Sequence, residues 1–155
     1  MAREPKDSIL LRLRTQLDAL PVLLSNVSSD AILQRPDSGK WSAHENIAHL
    51  GRYHEIFIER VKLILAESAP HLPRYRAEED PWWPMWTARS PGEVLDRLNV
   101  LRRDLTGLVE SLSDNQLDRV GVHARFGSMT LRIWLEFFLF HEGHHLYNVL
   151  ALLRT

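Results

Sequence analysis

Four stretches of this sequence repeat apolar side chains every three or four residues, and none alternates apolar with polar through a β-branched run. That pattern commits the chain to helices with one greasy face each. In the first stretch Leu10, Leu13, Leu17, Leu20 and Leu24 fall on one side, with Asp7 placed to cap the start and Pro21 interrupting the last turn. The second opens on Ser42-Ala43-His44-Glu45, a capping-box arrangement, and runs to about residue 67. The third opens on Ser90-Pro91-Gly92-Glu93: a cap, a proline at the first helical position and the reciprocal acid. Its Val94, Leu98, Leu101, Leu105, Leu108 and Leu112 make a single stripe, and the fourth stretch starts near Thr130 and continues to the C-terminus. The expectation is an all-α four-helix bundle without a sheet, formed by residues 1–155 as a single domain. Residues 28–40 read as a helical turn followed by a loop, and residues 118–127 as a loop with turns at Gly121 and Gly127. The connection at 69–89 holds Pro70, Pro73, Pro81 and Pro84 with Trp82, Trp83 and Trp86, and linkers of that length inside a compact domain are uncommon and often functional.

Charge and cysteine content remove several function classes. With 19 Lys+Arg against 20 Asp+Glu the net charge is -1, which gives no case for nucleic acid or an anionic membrane. The longest apolar stretch, residues 134–140, contains Glu136 and is far short of the roughly 20 residues of a membrane helix. Charges spaced through the N-terminal residues leave no secretory signal, so the expected location is the cytoplasm. There is no cysteine, hence no disulfide, thiolate ligand or cysteine nucleophile. Histidine stands out instead, with eight residues, six of them in two short segments.

The segment Phe140-His141-Glu142-Gly143-His144-His145 lies inside the fourth helical pattern. Residues four apart differ by about 40° around a helix, so His141 and His145 share a face and can reach one divalent ion. The same face carries Leu131, Trp134, Phe138, Val149 and Leu152, and imidazoles in an apolar stripe need a partner. A metal supplies one; hydrogen bonds to neighbouring helices are the plainer alternative. Residues 141–145 also match the H-E-x-x-H zinc-protease pattern, but no His, Asp or Glu follows in 146–155 to complete such a site. A third ligand has to come from His44, His49 or His54, whose five-residue spacing turns each by about 140° from the last. The stripe Ile47, Leu50, Phe57, Val61, Ile64 runs through His54, while His49 shares its face with Tyr53 and Ile56, so periodicity leans slightly to His54 and leaves the choice open.

Trp41-Ser42 followed by His49-Leu50, together with His141-Glu142-Gly143-His144-His145, resembles the paired helix motifs of the DinB/YfiT-like metalloenzyme family. Leu33-Gln34-Arg35-Pro36, Gly39-Lys40-Trp41-Ser42 and the Phe126-Gly127 turn are similar to that family as well. The resemblance covers nearly the whole chain. It implies a four-helix bundle whose metal ligands are His49, His141 and His145, which leaves His54 as a surrounding residue. Helical phase adds Tyr53 and Asn148 to the surroundings, and the long connection adds Trp82 and Trp83 as pocket candidates. The resemblance further implies a divalent ion, a small-molecule substrate and a homodimer, and imidazole ligands suit zinc or nickel. Better-understood members of that family resemble metal-dependent transferases using low-molecular-weight thiols; metal-activated water, hence hydrolysis, follows from the same chemistry. Without cysteine here, such a thiol has to arrive as a co-substrate. The rival from another class is a non-catalytic metal-binding or stress-associated bundle acting through protein contacts.

The remaining polar residues have plainer expectations. Trp82, Trp83 and Trp86 form either an aromatic rim or a satellite core at the bundle end. Glu142, His44 and the cluster Arg102-Arg103-Asp104 read as solvated surface, His144 as exposed, and His71 and His123 as loop residues.

Overall fold

A computed structural model describes residues 5–154. The element order is α1 (Pro5–Thr15), a 3-10 turn (Gln16–Asp18), α2 (Ala19–Leu24), α3 (Ser29–Leu33), α4 (Ala43–Ala66), β1 (His71–Leu72), a 3-10 turn (Ala77–Glu79), α5 (Trp83–Thr87), α6 (Pro91–Ser111), α7 (Asp114–Leu117), β2 (Val120–His123), β3 (Gly127–Thr130) and α8 (Leu131–Leu153). The four long helical segments are those the periodicity marks, and local chemistry sets their ends. Ser42 accepts from the Glu45 backbone while Glu45 accepts from the Ser42 backbone, and Ser90 and Glu93 repeat that exchange at α6. Thr130 caps α8 alone, its hydroxyl accepting from the Ile133 N–H. Asp7 does not precede the first helix, which already runs from Pro5, and lies in its first turn. Pro21 acts upstream of the last turn it was expected to interrupt: it cannot donate to the Leu17 carbonyl four residues back, the winding tightens to 3-10 at Gln16–Asp18, and α2 runs on through it to Leu24.

α4 is the central helix and packs on α6 and α8, with α1 closing the bundle against α6 and α8. The expectation of no sheet is overturned. β1 pairs parallel with β2, and β2 pairs antiparallel with β3, in the order β1-β2-β3. These strands have two to four residues, too few to produce an alternating pattern. The sheet closes the end of α4: Arg119, just before β2, donates to the Ile64 and Glu67 carbonyls. Gly121 lets this happen at close range, since a Cβ there would meet Ile64 at 2.8 Å and Trp134 at 3.0 Å.

The apolar interior divides into two clusters, one around Phe57, Leu105, Trp134 and Phe138, the other around Ile47, Leu50, Trp86, Leu98 and Val149. Every long helical segment changes cluster at a polar residue. Gln16 lies between Leu13 and Leu17, Arg102 between Leu98 and Leu105, and Glu142 between Leu139 and Leu146. On α4 the change falls between Leu50 and Tyr53, flanked by His49 and His54. A polar layer therefore crosses the bundle, and the histidines belong to it. Among the described residues no helix is long and apolar enough to cross a membrane.

Candidate metal centre

His49 on α4 and His141 and His145 on α8 converge in this layer, one candidate ligand atom from each lying within 4.8 Å of the others. Their ring centroids are 4.5 to 5.0 Å apart, and the Nε2 atoms of His49 and His141 approach to 3.1 Å. Two nitrogens bound at 2.0–2.1 Å to one tetrahedral ion lie about 3.3 Å apart, so that pair is already near ligating separation. His54, one turn and a further residue along α4, is not in the cluster. Its Nδ1 donates to the Leu50 carbonyl at 2.6 Å, and its Nε2 stands 3.8 Å from Glu142. Periodicity places His54 slightly deeper than His49, and His54 is indeed fully buried, but it meets the carboxylate side of the polar layer rather than the other two imidazoles.

Hydrogen bonding fixes the tautomer of one candidate ligand. Asn46 donates through Nδ2 to the Ser42 carbonyl at 2.9 Å, which turns its Oδ1 toward His145 Nδ1 at 2.8 Å. His145 therefore carries its proton on Nδ1 and keeps the Nε2 lone pair for a cation. The Nδ1 atoms of His49 and His141 are buried with no hydrogen-bond partner among the described residues. Aromatic rings hold these two imidazoles: Trp41 lies 5.0 Å and Tyr75 5.7 Å from the His49 ring, and Tyr53 4.2 Å from His141. Burial pushes His49 down to about 2, helped by the neighbouring His145 and His141. Burial, with His145 and His144 beside it, lowers His141 to about 3, and burial with His144 lowers His145 to about 4. All three are neutral at pH 7, so their lone pairs are free. Three neutral nitrogen donors converging at this spacing fit a divalent cation far better than a proton.

The surrounding residues divide. Trp83 packs on Trp41 at 5.0 Å and on His49 at 6.2 Å, so it belongs to the rim of the cluster. Trp86 is core, and Trp82 is 54% exposed, which takes it out of both. Tyr53 is buried against His141 and accepts from Arg60 at 3.3 Å. Asn148 donates weakly to Asn46 at 3.4 Å, and the exposed His144 sits beside it. A cleft of about 840 Å³, walled by Trp41, Trp83 and Asn148, reaches His145 from solvent.

Three surface expectations fail. Glu142 is fully buried and pairs with Arg102, also buried, with Gln16 Nε2 donating to the same carboxylate at 3.0 Å. Burial raises the Glu142 carboxyl, opposed by Arg102 and Gln16. α8 is covered by several helices at once, so a residue about 100° from His141 still faces protein. Arg102 is buried because its carboxylate partner is. His44 is buried too, bonded to the Thr87 carbonyl at 3.1 Å, because α5 folds over the first turn of α4. His71 and His123 lie in β1 and β2 rather than loops, and His144 is exposed as expected. Spacing singles out neither Asn46 nor Tyr75. Asn46 had a readable signal, one turn before His49 on the same face; Tyr75, in a loop, had none.

Comparison with known proteins agrees with this geometry. Over 142 residues the chain is 27% identical to a protein of Oceanobacillus iheyensis named "Putative metal-dependent hydrolase", covering 88% of this chain and 81% of the relative. It is also 27% identical over 135 residues to YuaE of Bacillus subtilis, covering 79% and 83% respectively. Among solved structures it superposes on YfiT from Bacillus subtilis, described as a probable metal-dependent hydrolase with an unusual four-helix bundle topology. That match has a TM-score of 0.82 and 26% identity, over 99% of this chain and 89% of YfiT. The model of the DinB superfamily matches residues 12–148, and with the bundle and its histidine layer as described, the chain belongs to that superfamily.

Proposed function

We propose that His49, His141 and His145 hold a divalent cation, zinc or nickel, and that the protein is a metal-dependent enzyme acting on a small molecule. The observation that carries this reading is the convergence of three neutral imidazoles on one point of an otherwise packed bundle. When bound, such an ion lowers the pKa of a coordinated water or thiol toward neutrality and supplies a nucleophile. The chain's own residues do the rest. Asn46 fixes the His145 tautomer, and Trp41 and Trp83 shield one side of the cluster while walling the cleft that leads to His145. Hydrolysis is the reading supported by the names of the relatives. Transfer to a low-molecular-weight thiol is the second, and it requires that thiol from outside, since the protein has no cysteine.

Elemental analysis combined with two assay panels tests this. The purified protein is expected to hold one zinc or nickel per chain, and His49→Ala and His141→Ala each to lose it. Metal-dependent turnover of esters or amides without thiol assigns hydrolysis; turnover only with an added thiol and an electrophile assigns transfer. Full metal retention in either variant overturns the three-histidine site. Loaded protein inactive in both panels overturns the enzyme reading in favour of a non-catalytic metal-binding bundle.

A further inference from the structure

A second cavity, of about 1030 Å³, lies between α4, α6 and the 70–80 connection. None of its lining residues lines the cleft at His145. At its wall stands Arg60, only 9% exposed. Arg60 donates to the Tyr53 hydroxyl at 3.3 Å and to the Pro73 carbonyl at 2.6 Å, and its guanidinium lies 5.8 Å from the Tyr53 and Trp134 ring centres. Among the described residues it has no carboxylate partner. The other buried arginine, Arg102, has Glu142. Neutral oxygens and ring faces offset part of the cost of burying a cation, but a full charge at this depth normally faces an anion.

The acids around the cavity do not supply one. Asp80 and Glu55 are engaged by Arg52, Glu59 by Lys62 and Glu79 by Arg76. Asp104 is exposed and makes no ion pair with Arg60. Arg74, on the same wall, is a second cation without an ion pair among the described residues. The rest of the wall is largely apolar, including Leu63, Leu101 and Leu108. We infer that this cavity binds a small amphiphilic oxyanion, a carboxylate or phosphate whose charged end meets Arg60 and Arg74 and whose apolar body lies against Leu63, Leu101 and Leu108. A guanidinium presents paired N–H donors that match either head group. The inference does not depend on the metal reading, because Tyr75 stands between this cavity and His49.

Calorimetric titration of the full chain with octanoate, octyl phosphate, inorganic phosphate and 1-octanol tests it. At least one of the two amphiphilic anions is expected to bind saturably, one per chain, and more tightly than octanol or inorganic phosphate. Octanoate against octyl phosphate then tells which head group the site prefers. Arg60→Gln is expected to weaken binding about tenfold or more. Because Arg60 also braces Tyr53 and Pro73, Leu101→Trp provides a second variant that fills the cavity with Arg60 in place, and it too should lose binding. Saturation by neither anion, equal binding of octanol, equal binding of inorganic phosphate, or parental binding in Leu101→Trp overturns the inference.

Discussion

A neutral imidazole offers a cation one lone pair, and the partner of the other nitrogen decides which one it is. At His145 the choice is made by Asn46, whose amide is itself turned by the Ser42 carbonyl at the first turn of α4. His49 and His141 have no such partner among the described residues and depend on ring packing for their orientation. The three candidate ligands are thus held by different means, and the hydrogen-bonded one has the cheapest handle for perturbation. Asn46→Ala is expected to weaken zinc binding by about 10–100-fold, the usual effect of removing an outer partner of a ligating histidine. Competition against a chromophoric chelator measures it. Unchanged affinity would mean that packing alone orients His145 as well.

At the scale of elements, α5 shows how a short segment can matter to the site. Trp86 of α5 lies on Gly51 of α4 so closely that a Cβ at position 51 would stand 2.2 Å from its ring. Gly51→Ala must therefore push α5 outward, and Trp83, three residues before Trp86, moves away from His49 with it. The expected loss is about 1–3 kcal/mol, as for overpacking elsewhere. It is read from urea midpoints, and weaker zinc retention should accompany it. The long helices were legible because each carries its own punctuation, as at Ser42-Glu45 and Ser90-Glu93. The sheet was not, because its pairings join residue 71 to residue 122 and no local pattern encodes that. Helical phase also separates inside from outside only where a helix is covered on one side. α8 is covered on a wide arc, so Glu142 was misplaced to the surface and Arg102 with it. For the same reason phase could not choose between His49 and His54: both are buried, on different sides of one polar layer.

That layer sets how the whole molecule responds to acid. His49, His54, His141 and His145 are pushed down to about 2, 3, 3 and 4, burial being the main cause at each. In the unfolded chain each takes up a proton near pH 6.5. Above that pH both states are neutral and the histidines add no pH dependence. As the pH falls below about 6.5 the unfolded state binds protons that the folded state refuses. Stability then falls by as much as about 1.4 kcal/mol per pH unit for each group until the folded values are reached. Glu142 works in the opposite direction, since its raised carboxyl is protonated first in the folded state. The paired carboxylates Glu45, Asp80 and Glu136 are held low and add their own loss only at more acidic pH, below the ordinary carboxylate range. Metal-free protein should therefore lose stability between pH 6.5 and 5, well before the paired carboxylates Glu45, Asp80 and Glu136 titrate. Urea midpoints at pH 7.5, 6.5 and 5 measure this, and equal midpoints at 7.5 and 5 would refute it. Zinc-loaded folded protein should keep its ion through the same range, because the lone pairs that hold it are not taken by protons until the pH approaches about 4. Metal release on acidification should consequently coincide with unfolding, monitored by circular dichroism, rather than precede it.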